Sequence, residues 1–411
     1  MPLQPARTIA ELEELRELTG DSSGAQRVAW TETWERARTW LGDKLEPTGA
    51  IEEIDEAGNQ WFTLGGAGPA LLIGGHLDSV PDGGWLDGSL NLVAGAEVFR
   101  RLAEKSPGKV AVRLVNWADE EGARFGRSLF GSSAAAGSMS DLEELRRLVD
   151  RDGVGLPEAL AAHGVDLDRA PEARSQLDSA AAYLELHIEQ GPVLESLGLP
   201  LGVVLGTFGV ERWRVTWHGQ AAHSGSTPME QRRDALAGAA KLALEIRAIA
   251  REVGGGAVCT SGNVSCRPGI ITSVVETAEQ LLDQRHLDAG ELARMLAMAR
   301  GACERFAAEE RIDVSWERIW GIEPILFDDA LIGIAEEAIR EVAGRSHRLP
   351  SGPLHDAAEV ARAGVPTAML FVQSLRGLSH TRLEDTRREH LELSVRALDR
   401  LASKTLDRLS G

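Results

Sequence analysis

Cysteine is nearly missing from the sequence: 411 residues hold only Cys259, Cys266 and Cys303. They are odd in number and widely spaced, with no Cys-x-x-Cys pair, which argues against a disulfide framework and a thiolate zinc site. They read instead as small buried hydrophobes in a reducing cytoplasm. Basic residues are scarce too, with 44 Lys and Arg against 63 Asp and Glu and a formal net charge of −19. No basic patch stands out, so a nucleic-acid partner is not expected. The acidic balance bears on solubility rather than on fold. No uninterrupted apolar run is long enough to span a membrane, so no membrane partner is expected either. The opening MPLQPARTIAELEEL lacks the apolar stretch of a secretory signal and turns acidic quickly, and a cytoplasmic protein is expected. Internal repeats and low-complexity tails are also lacking.

What is present is an ordinary globular composition, 43% hydrophobic and 26% charged. The length exceeds the usual single domain, so two domains are expected. Residues 25–43 read as an amphipathic helix with Trp30, Trp34 and Trp40 on one core-facing side. PALLIGG, KVAVRLVNWA and AAYLELHIEQG read as buried strands, and NLVAGAEVFRRLAEK as a helix between the first two. Such alternation predicts an α/β layer with a largely parallel sheet flanked by helices. Residues 140–180 read as helical, charged and solvated.

From about residue 210 the pattern changes. RWRVTWHG, GAVCTSGNV, IITSVV, QLLDQRH and IDVSWERIW read as strands, and residues 228–252 and 288–310 as long helices. Two helices over a four-stranded antiparallel sheet make a ferredoxin-like α+β domain. The α/β style then resumes with two helices, DDALIGIAEEAIREV and PLHDAAEVARAG, and the strand PTAMLFV. The simplest account is a catalytic domain of residues 1–210 and 322–411 interrupted by an inserted domain of residues 211–321.

The polar clusters fall where these strands end. HLDSVPDGGWLDG brings His76, Asp78, Asp82 and Asp87 onto the end of PALLIGG. WADEEGARF brings Glu120 and Glu121, ELHIEQGP brings His187 and Gln190, and GLSHTRLEDT brings His380. Open α/β sheets place their ligands at the C-terminal ends of their strands. Singly, each residue has a commoner structural role: Asp82 and Asp87 as turn formers, each histidine as a hydrogen-bonded core residue, the glutamate pair as a solvated loop. Together at one end of a sheet they form the N/O donor set that zinc takes. Two metals sharing one carboxylate form a clamp suited to hydrolysis.

In this order the motifs GGHLDSVPDGGWLDG, DEEGARFG, ELHIEQGPVLE, HSGSTPMEQRRDA, LDQRHLD, SGPLHDA and GLSHTRLED resemble a known family. It comprises the dinuclear-metal amidohydrolases: N-carbamoyl-L-amino acid hydrolases, allantoate amidohydrolases and β-ureidopropionases, relatives of the aminoacylase-type metallopeptidases. The resemblance covers nearly the whole chain. It implies that His76 and His187 bind one metal, Glu121 and His380 the other, and that Asp87 bridges them. It implies Asp78 as the orienter of the His76 ring and Glu120 as general base.

In the inserted domain, the resemblance implies dimerisation and closure as a lid. It makes His223 a residue that crosses into the partner's active site and stabilises the oxyanion there. Without the family, His223 would read as a loop histidine near a helix that starts by Pro228. Arg285 matches the arginine that grips a substrate carboxylate, a bidentate task suited to guanidinium. Arg212 and Gln190 are further substrate-binding candidates. The chain departs from the family pattern at Thr272, where Asn is usual, at Leu354, where Gly is usual, and at Asn91, another usual Gly. Thr272 and Leu354 fall at substrate-contacting positions.

The expectation is therefore a cytoplasmic, homodimeric amidohydrolase with two divalent metals per subunit, acting on a small substrate that carries a carboxylate. Zinc comes first, with manganese and cobalt as alternatives. The expected reaction takes an N-carbamoyl-L-amino acid to the amino acid, ammonia and carbon dioxide. An allantoate-type or N-acyl-amino acid amidohydrolase is the alternative. A metal-dependent ligand-binding protein without hydrolysis is the alternative of another class, and an aminopeptidase, whose substrate has a free amine, fits Arg285 less well.

Overall fold

Four runs of β-branched and apolar residues are buried along nearly their whole length: Ala70–His76, Ala111–Trp117, Ala180–Ile188 and Thr367–Val372. Burial on both faces is what a parallel strand covered by helices requires. In the computed structural model, which describes residues 2–66, 68–104 and 108–411, these four strands lie side by side and parallel. Ala70–His76 pairs with Ala111–Trp117 on one side and with Ala180–Ile188 on the other, and Ala180–Ile188 pairs with Thr367–Val372. Antiparallel strands extend the sheet, Gln60–Leu64 beside Ala111–Trp117 and Leu201–Thr207 beside Thr367–Val372. Because the four central strands run the same way, their C-terminal ends open onto one edge.

Adjacent glycines on the Ala70–His76 strand show that both faces are covered. A side chain at Gly75 would meet Asn91 of the Ser89–Ala103 helix, and one at Gly74 would meet Tyr183. The expected helix reaches Lys105, which lies outside the described residues. Tyr183 is fully buried and joins Trp117 to Glu185 by hydrogen bonds of 3.0 and 2.7 Å.

Several sequence readings need correction. The helix expected over 25–43 spans Glu32–Leu45, with Thr31 at its N-cap. Trp30 precedes it in a left-handed conformation, φ 61°, and still packs against Trp34 in the core. Residues 140–180 form only short helical pieces, Leu142–Leu145, Leu156–Ala162 and Ala170–Leu177. They are not simply solvated: Leu145, Leu156, Leu160 and Val165 join Trp30, Trp34 and Phe130 in a hydrophobic cluster. Cys303 is buried, but Cys259 and Cys266 are only partly so.

The chain folds as two compact units, Met1–Leu205 with Phe327–Gly411, and Gly206–Leu326. The second unit has a four-stranded antiparallel sheet in the order Val258–Arg267, Thr277–His286, Gly209–His218, Asp313–Ile322. Two helices, Ala235–Val253 and Ala289–Glu310, start at Asp234 and Asp288, whose carboxylates accept N–H bonds from the first turn. The first helix therefore begins later than residue 228, because Met229–Gln231 form a separate 3₁₀ turn. Of IITSVV only Ser273–Val274 is a strand, and Ile270 and Ile271 are exposed. Strand alternation sends Val215, Trp217, Ala278 and Leu282 into a core with the helix residues Leu242, Ile246, Met295 and Ala299. Among the described residues, no helix is long and apolar enough to cross a membrane.

Candidate active site

His76 is the last residue of its strand and is fully buried. Its Nδ1 lies 3.1 Å from the Asp78 backbone carbonyl and 3.5 Å from the Asp78 carboxylate. A proton on Nδ1 donated to that pair leaves the lone pair on Nε2, the tautomer a metal ligand needs. Nε2 is buried with no hydrogen-bond partner among the described residues. The ring is packed so closely that Gly88, at φ 66°, allows no side chain: a Cβ there would come within 2.5 Å of it. Asp78 has a second task. One oxygen accepts the Glu120 N–H at 3.2 Å and the other the Glu121 N–H at 3.1 Å. A single carboxylate thus ties the first strand's histidine to the glutamate pair after the next strand.

Asp87 stands at the middle. Its Oδ1 is 3.1 Å from His187 Nε2 and 3.8 Å from His76 Nε2. Its Oδ2 is 3.5 Å from His380 Nε2, which lies 3.4 Å from the Glu121 carboxylate. His187 Nδ1 faces the Ile188 carbonyl at 2.8 Å, which turns its Nε2 inward. Two overlapping groups result, His76–Asp87–His187 and Asp87–Glu121–His380, each with its ligand atoms within 4.8 Å of one another. N and O ligands bound at roughly 2.0–2.2 Å to one zinc lie roughly 3–3.5 Å apart, close to these separations. Glu120 is buried but belongs to neither group, with its carboxylate 3.8 Å from His76 Nε2.

The electrostatics favour a cation. Burial, reinforced by Asp87, pushes the Glu121 carboxyl up to about 9. Burial also holds Glu120 well above the carboxylate range, with Glu121 and Asp356 adding to the effect against His76. Asp87 is held low instead: its burial is outweighed by His187 and His76. An orphaned imidazole nitrogen on His76, an orphaned Glu121 Oε1 and crowded carboxylates are the donors that divalent metals satisfy.

The other expected residues fall as follows. Gln190, at φ 56°, donates from Nε2 to Asp87 Oδ2 at 2.8 Å and to Ser379 Oγ at 3.1 Å, so it touches the shared carboxylate itself. Leu354 is half-buried beside His355, whose ring packs on His187 with centroids 4.5 Å apart. In the second unit, His223 is exposed on a two-residue strand paired with Ser273–Val274, and its Nδ1 accepts the Gly225 N–H at 3.1 Å. Thr272 is exposed next to it, its carbonyl accepting the Ser224 N–H at 3.0 Å. Arg285 and Arg212 share Asp283: their Nε atoms lie 2.7 and 2.8 Å from its two oxygens. Arg212 also lies over Trp320, 5.2 Å from the ring centroid.

Sequence reasoning missed the residues that hold the loops. Arg27 is fully buried, and desolvation lowers it to about 10 despite Glu384, Asp78, Asp87 and Glu121 nearby. It donates to the Leu77 carbonyl at 2.7 Å and to Ser89 Oγ at 2.6 Å. No sequence pattern marks it. Ser379 and Glu384 bracket His380 in SHTRLE, and that proximity was the available signal.

Residues 72–404 match the sequence pattern of Peptidase family M20/M25/M40. The chain belongs to that family. It is 35% identical over 403 residues to an N-carbamoyl-L-amino acid amidohydrolase of Geobacillus stearothermophilus, covering 96% of this chain and 97% of the relative. It is 29% identical over 381 residues to an allantoate amidohydrolase of Escherichia coli (strain K12), covering 92% of each. Among solved structures, it is similar to an amidase of the hydantoinase/carbamoylase family from Burkholderia multivorans, with a TM-score of 0.87, 31% identity and 98% coverage of both chains.

Proposed function

We propose that the protein hydrolyses the ureido C–N bond of an N-carbamoyl-L-amino acid, using one water and releasing the L-amino acid, ammonia and carbon dioxide. It is a hydrolase of C–N bonds other than peptide bonds. The observation that carries the reading is the Asp87 carboxylate, with one oxygen toward two imidazoles, the other toward His380, which neighbours Glu121, and Glu120 close by but outside both groups.

In this reading His76 and His187 hold one divalent ion, Glu121 and His380 the other, and Asp87 both. Zinc is the first choice and manganese or cobalt the alternatives. When bound, such a pair polarises the substrate carbonyl and acidifies water. Glu120 takes the proton from the attacking water and returns it to the leaving nitrogen. Asp78 keeps the His76 ring and the Glu120–Glu121 backbone in place. Arg285, assisted by Arg212, receives the substrate carboxylate, a planar fork meeting a planar acceptor. Gln190, Thr272 and Leu354 shape the remaining contacts.

The domains are residues 1–210 with 322–411 for catalysis, and residues 211–321 as an inserted ferredoxin-like domain for dimerisation and closure. The compact unit Gly206–Leu326, with two helices over four antiparallel strands, supports that division. His223 serves the partner's site in a homodimer and stabilises the oxyanion. A cytoplasmic location is supported by three free cysteines.

A second reading, allantoate hydrolysis, is favoured by the Escherichia coli relative. The test is a screen of N-carbamoyl, N-formyl and N-acetyl amino acids and allantoate with the metal-loaded protein, measuring amine and ammonia separately. Equal release of both from N-carbamoyl substrates supports the first reading. Turnover of allantoate alone supports the second, and turnover of none contradicts both.

A further inference from the structure

Glu384 lies four residues beyond His380 and is buried, with 2% of its surface exposed. One oxygen, Oε1, accepts the backbone N–H groups of Leu86 and Asp87 at 3.0 and 2.9 Å. The other, Oε2, lies 3.1 Å from Ser379 Oγ, and Ser379 in turn donates to Asp87 Oδ2 at 2.7 Å. Gly84 is part of the same fit, since a side chain there would run into the Glu384 carboxylate. The loop that carries Asp87 and the loop that carries His380 are thus joined through one side chain. Glu384 itself offers no oxygen to either metal-ligand group.

We propose that Glu384 is a positioning residue: it fixes the Asp87 carboxylate against His380 and so builds the Asp87–Glu121–His380 metal site, while the His76–Asp87–His187 site depends on it less. This rests on the reading of those residues as metal ligands. The asymmetry follows from the bonds. His76 and His187 are oriented by the Asp78 and Ile188 carbonyls, neither of which involves Glu384. His380 sits on an exposed loop, its side chain 51% exposed, and Glu384 joins its neighbour Ser379 to the Asp87 backbone.

The role is one of shape and reach rather than charge. A glutamine keeps it, because its carbonyl accepts the same two N–H groups and its amide donates to Ser379 Oγ. An aspartate keeps the charge but is one methylene too short to span the two loops.

The test titrates Zn²⁺ alone into the metal-free full chain and follows bound metal by equilibrium dialysis with elemental analysis. Wild type takes up two equivalents. Glu384→Ala and Glu384→Asp keep the first with the smaller loss and bind the second about 10–100-fold more weakly, the usual effect of removing a residue that orients a ligand. Glu384→Gln restores the second equivalent. Retention of the first equivalent shows that the variants are folded, and if Ala does not fold, the contrast between Asp and Gln decides alone. The proposal is overturned if Glu384→Asp binds two equivalents like wild type, or if Glu384→Gln is as weak as Glu384→Asp. If wild type takes up no zinc, the ligand assignment falls, and this inference with it. If wild type and every variant take up two equivalents equally, only this inference falls.

Discussion

His76, Asp78, Asp87 and His187 are all 3% exposed or less, whereas Arg285 and Arg212 in the second unit keep side-chain exposures of 26% and 45%. The first set leaves a ligand nitrogen unpaired, and burial, reinforced by Asp87, pushes the neighbouring Glu121 up to about 9. The second set satisfies itself, two guanidinium groups around Asp283. Buried charge without a counter-ion costs several kcal/mol, so the donors of the first region suit a bound cation. The Arg212–Asp283 pair is exposed, and such pairs contribute only about 0–1 kcal/mol, so under the proposed clamp an incoming carboxylate would compete for Arg212 at little cost. In the proposed function the first region holds and the second exchanges.

The largest expected effect comes from the buried region. Glu120→Gln keeps fold and metal content and loses about 10²–10⁴-fold in kcat, the usual loss for an acid–base group. Loss of metal by elemental analysis would show that Glu120 and Glu121 have exchanged roles.

Next comes His223→Ala, expected to bind both metals normally and lose about 10²–10³-fold in kcat, as for one oxyanion donor. Mixed with Glu120→Gln and allowed to exchange subunits, it should regain activity, because one site per mixed dimer has both native residues. If mass spectrometry confirms mixed dimers and they stay inactive, the histidine does not act across subunits.

Arg285→Lys sharpens the exchangeable side. A point charge cannot replace the planar fork, and losing a charge-assisted hydrogen bond of about 1.5–3 kcal/mol corresponds to a rise of about 10–150-fold in KM/kcat for acid substrates. Carboxamide substrates should be poor for wild type and little changed by the variant. Equal wild-type rates on acid and amide would rule out the clamp.

The smallest effect is structural. Arg212→Ala should change unfolding free energy by less than about 1 kcal/mol, the range for an exposed pair. A larger loss in denaturant melts would mean that the Arg212–Asp283–Arg285 cluster is part of the unit's framework.

Legibility followed the same divide. The four central strands were readable because burial on both faces leaves unbroken apolar runs, and the strand-end histidines and carboxylates stood out against them. Trp30 was misplaced because the left-handed turn just before the helix comes without a glycine to announce it. The stretch 140–180 read as solvated because its buried leucines are spread over short turns too brief to set up a period. Arg27 and Glu384 escaped because their partners are backbone groups and loops distant in sequence. The roles of His223 and Arg285 came from family likeness alone, since an exposed histidine or a paired arginine carries no local mark.

The central claim is that two metals on the Asp87 carboxylate drive hydrolysis. Its most direct test titrates the metal-free protein with zinc, manganese or cobalt and records bound metal and hydrolysis of an N-carbamoyl-L-amino acid on the same sample. The account predicts two equivalents per chain, no turnover before metal is added, and one amine and one ammonia released per substrate. Full activity in the presence of excess chelator, or saturation with no metal bound, would contradict it.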